Sequence, residues 1–218
     1  MNVPMLSGCR ALLLGTLLAA GVPLLQGCFP IVAAGIGAGA VMIADRRTSG
    51  TYIDDESIEL KAASLVHQHF GGINHINITS YNRNVLLTGE VQNEDVRERV
   101  QRLVGGMINV RAVVNELNIG SPSQMSARGN DVLITSNIKT RFVGNGSFAA
   151  NHIKIVTEAG TVFLLGLVTR AEGDAAAEIA RTSKGVSKVV KVFEYISEGD
   201  ARTLDNGGGG GGDRDGPA

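Results

Sequence analysis

The sequence predicts an α+β protein of two tandem domains, each ordered helix–strand–strand–helix–strand. Each domain is expected to be a small mixed three-stranded sheet with two helices on one face. Two observations carry this. The pattern Ile76-Asn77-Ile78-Thr79 … Val85-Leu86-Leu87-Thr88-Gly89-Glu90-Val91 recurs 77 positions on as Ile153-Lys154-Ile155-Val156 … Val162-Phe163-Leu164-Leu165-Gly166-Leu167-Val168. A third matching piece, Gly106 to Val114, corresponds to Gly185 to Phe193.

The elements follow in order. Asp55 suits the N-cap of a helix whose apolar face is Ile58, Ala62, Leu65 and Val66, ending at Gly71-Gly72. Ile76 and Ile78 alternate with polar residues, as in a half-buried strand, and Tyr81-Asn82-Arg83-Asn84 turns into a second strand, Val85 to Val91. Asn93 caps a second helix with the stripe Val96, Val100, Leu103 and Val104, and Met107 to Ile119 is the last strand region. In the second copy Asp131 opens a helix bearing Ile134, Ile138 and Phe142. Strands at 152–157 and 161–168, a helix around 171–182 and a strand at 186–196 complete it. Gly89 and Gly166 hold equivalent places inside strands, where glycine marks a bulge or the close approach of another backbone. Domain limits of 51–119 and 131–197 leave 120–130 as a Ser/Gly/Pro-rich linker, which does not reveal whether the domains dock.

The chain ends are of another kind. Residues 1–27 read as a signal peptide: Arg10 precedes an apolar run, Ala11 to Leu25, that has the length of a signal core. The run closes in Leu25-Gln26-Gly27-Cys28, which resembles the bacterial lipobox. That resemblance implies cleavage before Cys28 and acylation of both its sulfur and the new N-terminus. Phe29 after the cysteine is consistent with transfer to an outer membrane. Once Cys9 is removed, one cysteine remains and no internal disulfide is possible. Residues 28–50 read as an acylated, Gly/Ala-rich apolar tether, with Asp45-Arg46-Arg47 marking the return to water. Residues 198–218, with their glycine run, are expected to be disordered.

Composition excludes several functions. The net charge is −1 and aromatic residues make up 4% of the chain, with no basic, aromatic-studded face, so nucleic acid is not an expected partner. His67 and His69 lie two apart on a helix and His75 follows in a loop. They do not converge with further ligands, so neither a metal nor a cofactor is expected. No Ser/His/Asp constellation is legible, and Gly207–Gly212 lacks the following Lys-Ser/Thr of a phosphate loop. An enzyme is not expected.

The apolar-x-apolar strand, the Val-Leu-Leu-x-Gly or Val-Phe-Leu-x-Gly strand that follows it, and the Gly-Met/Val-x-x-Val approach to the last strand resemble BON domains, whose αββαβ order is the one read above. Lipobox, tether and two such domains together are similar to the dual-BON outer-membrane lipoproteins. The resemblance implies a non-enzymatic periplasmic protein that contacts anionic, phosphatidylglycerol-like phospholipid and supports envelope integrity. It places the contact on the first helix of the second domain, here Asp131 to Phe142. Lys139 and Arg141 are then the candidate electrostatic contacts. Leu133, where a family representative has tryptophan, is the candidate apolar one. Charge agrees in sign, since residues 54–119 carry net −3 and residues 131–197 net +2. Two other readings stay open. One is a module docking an envelope protein partner, such as an assembly or peptidoglycan-remodelling factor; the other is a periplasmic holdase chaperone.

Overall fold

Hydrogen-bonded turns and buried apolar stripes build each copy as the pattern requires. The computed structural model describes residues 45–71 and 74–207. The signal segment, Cys28, the Gly/Ala-rich stretch through Ala44, and residues 208–218 lie outside the described residues. In the first domain α1 (Ser49–Phe70) precedes β1 (His75–Tyr81), β2 (Asn84–Val91), α2 (Glu94–Gly105) and β3 (Ala112–Ile119). The second repeats it with α3 (Met125–Val143), β4 (Ile153–Glu158), β5 (Thr161–Val168), α4 (Arg170–Arg181) and β6 (Lys188–Tyr195).

Each domain is one mixed sheet. β2 pairs antiparallel with β1 and parallel with β3, and β5 does the same with β4 and β6. Asn93 caps α2 as expected, its side-chain oxygen accepting from the Val96 N–H. Ile58, Ala62 and Val66 of α1 meet Val100 and Val104 of α2 over Val85, Leu87 and Val91. Ile134, Ile138 and Phe142 of α3 and Ala176 and Ala180 of α4 do so over Val162, Leu164 and Val168. Both helices of each domain therefore cover one face of its sheet.

The other faces meet each other. Tyr81, Leu86, Phe163, Leu165 and Leu167 form a third buried cluster, flanked by Val114, Val156, Val190, Val192 and Ile196. Central strands β2 and β5 are thus buried on both sides, which is why they read as continuous apolar runs rather than alternating ones. The domains dock sheet to sheet, a point the linker composition left open.

Several element limits differ from expectation. α1 starts at Ser49, with the Thr48 hydroxyl accepting from Thr51 N–H, and α3 starts at Met125, inside the stretch read as linker. Asp55 and Asp131 are therefore not caps. They lie inside their helices, buried, and each carboxylate accepts both backbone N–H groups of a two-residue hairpin turn. Asp55 takes those of Asn82 and Arg83, and Asp131 those of Ala159 and Gly160. All four turn residues have positive φ, as the hairpin twist demands. Gly89, at φ +110°, and Gly166 sit where a Cβ would strike the carbonyl oxygens of His75 and His152, the close backbone approach expected of them.

Two corrections concern the ends. Asp45-Arg46-Arg47 does not mark a return to water, because Arg46 is 4% exposed and Arg47 is half-buried. Residues 198–207 are not disordered but form α5 (Glu198–Gly207), started by the Ser197 hydroxyl accepting from Asp200 N–H. Buried Ala201 and an ion pair from Asp205 to Arg46 hold α5 in place. Short-range composition could not show either partner.

Candidate functional site

A helix has about 3.6 residues per turn, so positions 7 and 18 apart lie along one line of its surface. On α3 that line runs through Met125, Val132 and Val143, all exposed, and Leu133 stands beside it. The buried side, Ile134, Ile138 and Phe142, faces the opposite way. The sole acid of α3, Asp131, is buried on its hairpin turn, so the outward face carries no negative charge.

The structure separates the three residues that sequence reasoning grouped here. Leu133 is 69% exposed. Lys139 is exposed and belongs to no ion pair among the described residues. Arg141 is half-buried and committed: Nη1 donates to Ile179 O and Ser183 Oγ, each at 2.6 Å, and Nη2 to Thr182 Oγ1 at 3.0 Å. It closes the C-terminal end of α4, where carbonyls lack partners and a cation is favoured. The loop so held, with Gly185 against Ile134, brings exposed Lys184 to the flank of α3. Met125, Val132, Val143 and Lys184 were missed. The i, i+7, i+18 spacing was a legible signal for the first three once the helix was known to begin at Met125.

The corresponding helix of the first domain is different. α1 also exposes Ile53 and Leu60, but Glu56 lies beside that line. Exposed Lys61 flanks the same line on its other side, so α1 presents both signs of charge there, whereas the outward line of α3 presents no acid.

Where the tether meets the described fold, both arginines are anchored. Arg46 uses all five N–H donors: Nε and Nη2 to Asp205, Nη1 and Nη2 to Glu172, and Nη1 to Leu167 O. Burial opposes its charge, but the Asp205 and Glu172 carboxylates outweigh burial and keep it protonated. Burial would likewise raise Glu172, yet Arg46 holds its carboxyl below the usual range, and the Arg46 hydrogen bond lowers Asp205 in the same way. Arg47 pairs with Asp45 and Asp55 and stacks 4.2 Å from the Tyr81 ring centroid. Burial pushes the Tyr81 hydroxyl up to about 12. Arg46 thus grips the second domain and Arg47 the first.

Polar bridges complete the domain seam. Lys154 Nζ donates to Glu59 Oε1 at 2.7 Å, and Glu194 accepts from Asn82 and Arg111. Lys154, counted in the positive charge of the second domain, is therefore spent inside the seam. His67 and His69 are exposed on α1, away from any ligand set among the described residues. No helix among those residues is long and apolar enough to cross a membrane.

Comparison with known proteins agrees with this architecture. The BON domain model matches residues 54–121 and again 130–197. The chain is 40% identical over 177 residues to the outer membrane lipoprotein DolP of Haemophilus influenzae, covering 79% of this chain and 90% of that protein. It is 35% identical to the 21 kDa hemolysin of Actinobacillus pleuropneumoniae, over 70% of this chain and 79% of the relative. It is 28% identical to the osmotically-inducible protein Y of Escherichia coli, over 64% and 72%. With the repeat, the αββαβ order of each copy and the matched residues in agreement, the chain belongs to the BON-domain family, as a member with two docked BON domains.

Proposed function

We propose that this chain is a lipoprotein anchored in the outer membrane through acylated Cys28, facing the periplasm, and that its second BON domain binds anionic phospholipid in support of outer-membrane integrity. The 40% identity to an outer membrane lipoprotein and the Leu-Gln-Gly-Cys sequence support the location. The observation that carries the binding is the outward line of α3, with exposed Met125, Val132, Leu133 and Val143 beside Lys139 and no exposed acid. The role is that of a binding protein rather than a catalyst.

The energetics suit a tethered contact. Each Lys or Arg near an anionic surface contributes about 1 kcal/mol, and apolar area leaving water about 25 cal/mol per Å². Lys139, Lys184 and a few partly inserted side chains then bind weakly by themselves. A double acyl anchor at Cys28 would keep the domain near the bilayer, so weak affinity is enough. Arg141 in this reading holds α4 and its loop, and Lys139 with Leu133 makes the contact.

Vesicle co-sedimentation of the chain from Asp45 onward tests this, using phosphatidylglycerol-containing and zwitterionic liposomes at low and physiological salt. Salt-sensitive binding to the anionic vesicles, lost in Val132→Asp/Leu133→Asp and reduced in Lys139→Glu, supports the assignment. Absence of binding by the wild type at low salt removes it and makes an envelope protein the leading partner.

A further inference from the structure

The domain seam contains a second chemistry-bearing cluster, remote in kind from α3. His75 opens β1, Glu90 lies opposite it in the β1–β2 register, and Glu158 comes from the end of β4 in the other domain. His75 Nδ1 is 3.1 Å from Glu90 Oε2 and 3.8 Å from Glu158 Oε1, and the three candidate donor atoms lie within 4.8 Å of one another. The side chains of Glu90 and Glu158 are only 10% and 6% exposed.

We infer that His75, Glu90 and Glu158 form a site for a divalent metal ion of the zinc type, clasping the two BON domains together. Three observations support it. First, two buried carboxylates face one imidazole, and no Lys or Arg pairs with either among the described residues. Lys154 goes to Glu59 instead. Burying such a pair without a cation is costly, and a doubly charged ion would neutralise it.

Second, the donors are placed as a small ion requires. Imidazole nitrogen and carboxylate oxygen are both zinc-ligating atoms, with bonds of about 2.0–2.2 Å, and three of them would leave a fourth position open for water. A supporting shell is in place. Asn77 Nδ2 donates to Glu158 Oε2 at 2.7 Å, and the Ser123 N–H to Glu90 Oε2 at 3.2 Å.

Third, the repeat supplies an internal comparison. Moved along by the 77-residue period, His75 becomes His152 and Glu90 becomes Leu167, while Glu158 moved back becomes Tyr81. This related trio also meets across the seam, where the Tyr81 hydroxyl donates to His152 O at 3.3 Å. At that end the chain supplies cations itself: Arg46 donates to Leu167 O and Arg47 stacks on Tyr81. At the His75 end the acidic side chains Glu90 and Glu158 stand in those places without a guanidinium. A metal ion would supply at the His75 end the counter-charge that the neutral Leu167 and Tyr81 side chains do not need at the other. Sequence reading missed the site because its carboxylates come from β2 and from the other domain.

The test uses the full-length protein in detergent, stripped with EDTA and then dialysed against Zn2+ alone. Wild type is expected to retain one Zn2+ per chain and to melt at a higher temperature with it. Retention should be lost in His75→Gln and Glu158→Gln, and affinity should fall about 10- to 100-fold in Asn77→Ala. Glu90→Gln, isosteric and able to keep the Ser123 hydrogen bond, guards against a variant that fails to fold. Co2+ substitution adds a spectroscopic readout, with visible d–d bands in wild type that are missing in Glu90→Gln. No retained Zn2+ in wild type overturns the inference, as does retention unchanged by His75→Gln and Glu158→Gln, which would assign the ion to other residues such as His67 and His69.

Discussion

Arg46 and Glu172 are joined by two parallel hydrogen bonds, Nη1 to Oε2 at 2.7 Å and Nη2 to Oε1 at 2.8 Å. The pair ties the segment that follows the tether to the first turn of α4, and Asp205 draws α5 onto the same guanidinium. Glu172 also completes the capping box of α4, accepting from the Thr169 N–H while the Thr169 hydroxyl accepts from its own. A pull on the tether is therefore delivered to the second domain at a buried, fully hydrogen-bonded arginine.

Arg46→Met should destabilise the protein by about 3 kcal/mol, because it leaves Glu172 largely buried without its partner while Asp205 keeps part of its water. The pH dependence has a definite sign. Glu172 and Asp205 are held below the ordinary carboxylate range, so their contribution is complete above about pH 5 and is lost as pH falls through the lowered values. Burial, then Arg46, also lowers His152, so its protonation below its ordinary range acts in the same direction. Thermal melts of wild type and Arg46→Met from pH 8 to pH 3 should show a gap in midpoint that closes on acidification.

Arg141 and Lys139 are two residues apart and should behave differently. Arg141→Ala removes three hydrogen bonds at the end of α4 and should cost about 2 kcal/mol. Lys139→Ala should leave the unfolding free energy read from chemical denaturation unchanged within about 0.5 kcal/mol. Vesicle binding should respond in the opposite order, with Lys139 the more sensitive at low salt.

Asp131→Ala should cost about 2–3 kcal/mol, since the Ala159 and buried Gly160 N–H groups lose their acceptor. Asp131→Asn keeps an acceptor oxygen and should recover part of this. Hydrogen exchange at Ala159 and Gly160 provides the local readout, faster in both variants and fastest in alanine.

Phe163→Ala, in the seam between the sheets, should cost about 3 kcal/mol or more. Because the same cluster holds Leu86 and Tyr81 of the first domain, wild type should unfold in one calorimetric transition. Leu165→Asp, which places a charge in the seam, should split that transition into two. Two transitions in wild type would show that the docking is weaker than its packing suggests.

Much of this architecture was legible because it is local. The strand spacing, the Asn93 cap, the stripes of Val100, Val104, Ile134, Ile138 and Phe142, and the constrained places of Gly89 and Gly166 all follow from the side-chain period and backbone sterics. The exposed Leu133 and Lys139 were likewise readable on α3, given helix periodicity. What sequence reading could not supply depends on partners far along the chain. Asp55 looked like a cap because the backbone N–H groups it accepts from, those of Asn82 and Arg83, come 27 and 28 residues later. Arg46 looked like a solvated charge because Glu172 and Asp205 come more than a hundred residues later. Arg141 looked free because Ile179 O and Ser183 belong to another helix end.

By itself, then, the sequence determined two αββαβ repeats and the face that each helix buries, since hydrophobic period and turn chemistry act over a few residues. Tertiary structure alone decided that the sheets dock, that a guanidinium anchors the tether, and that His75, Glu90 and Glu158 converge. Those contacts join residues from 15 to 159 positions apart, and no local pattern encodes which buried charge will meet which.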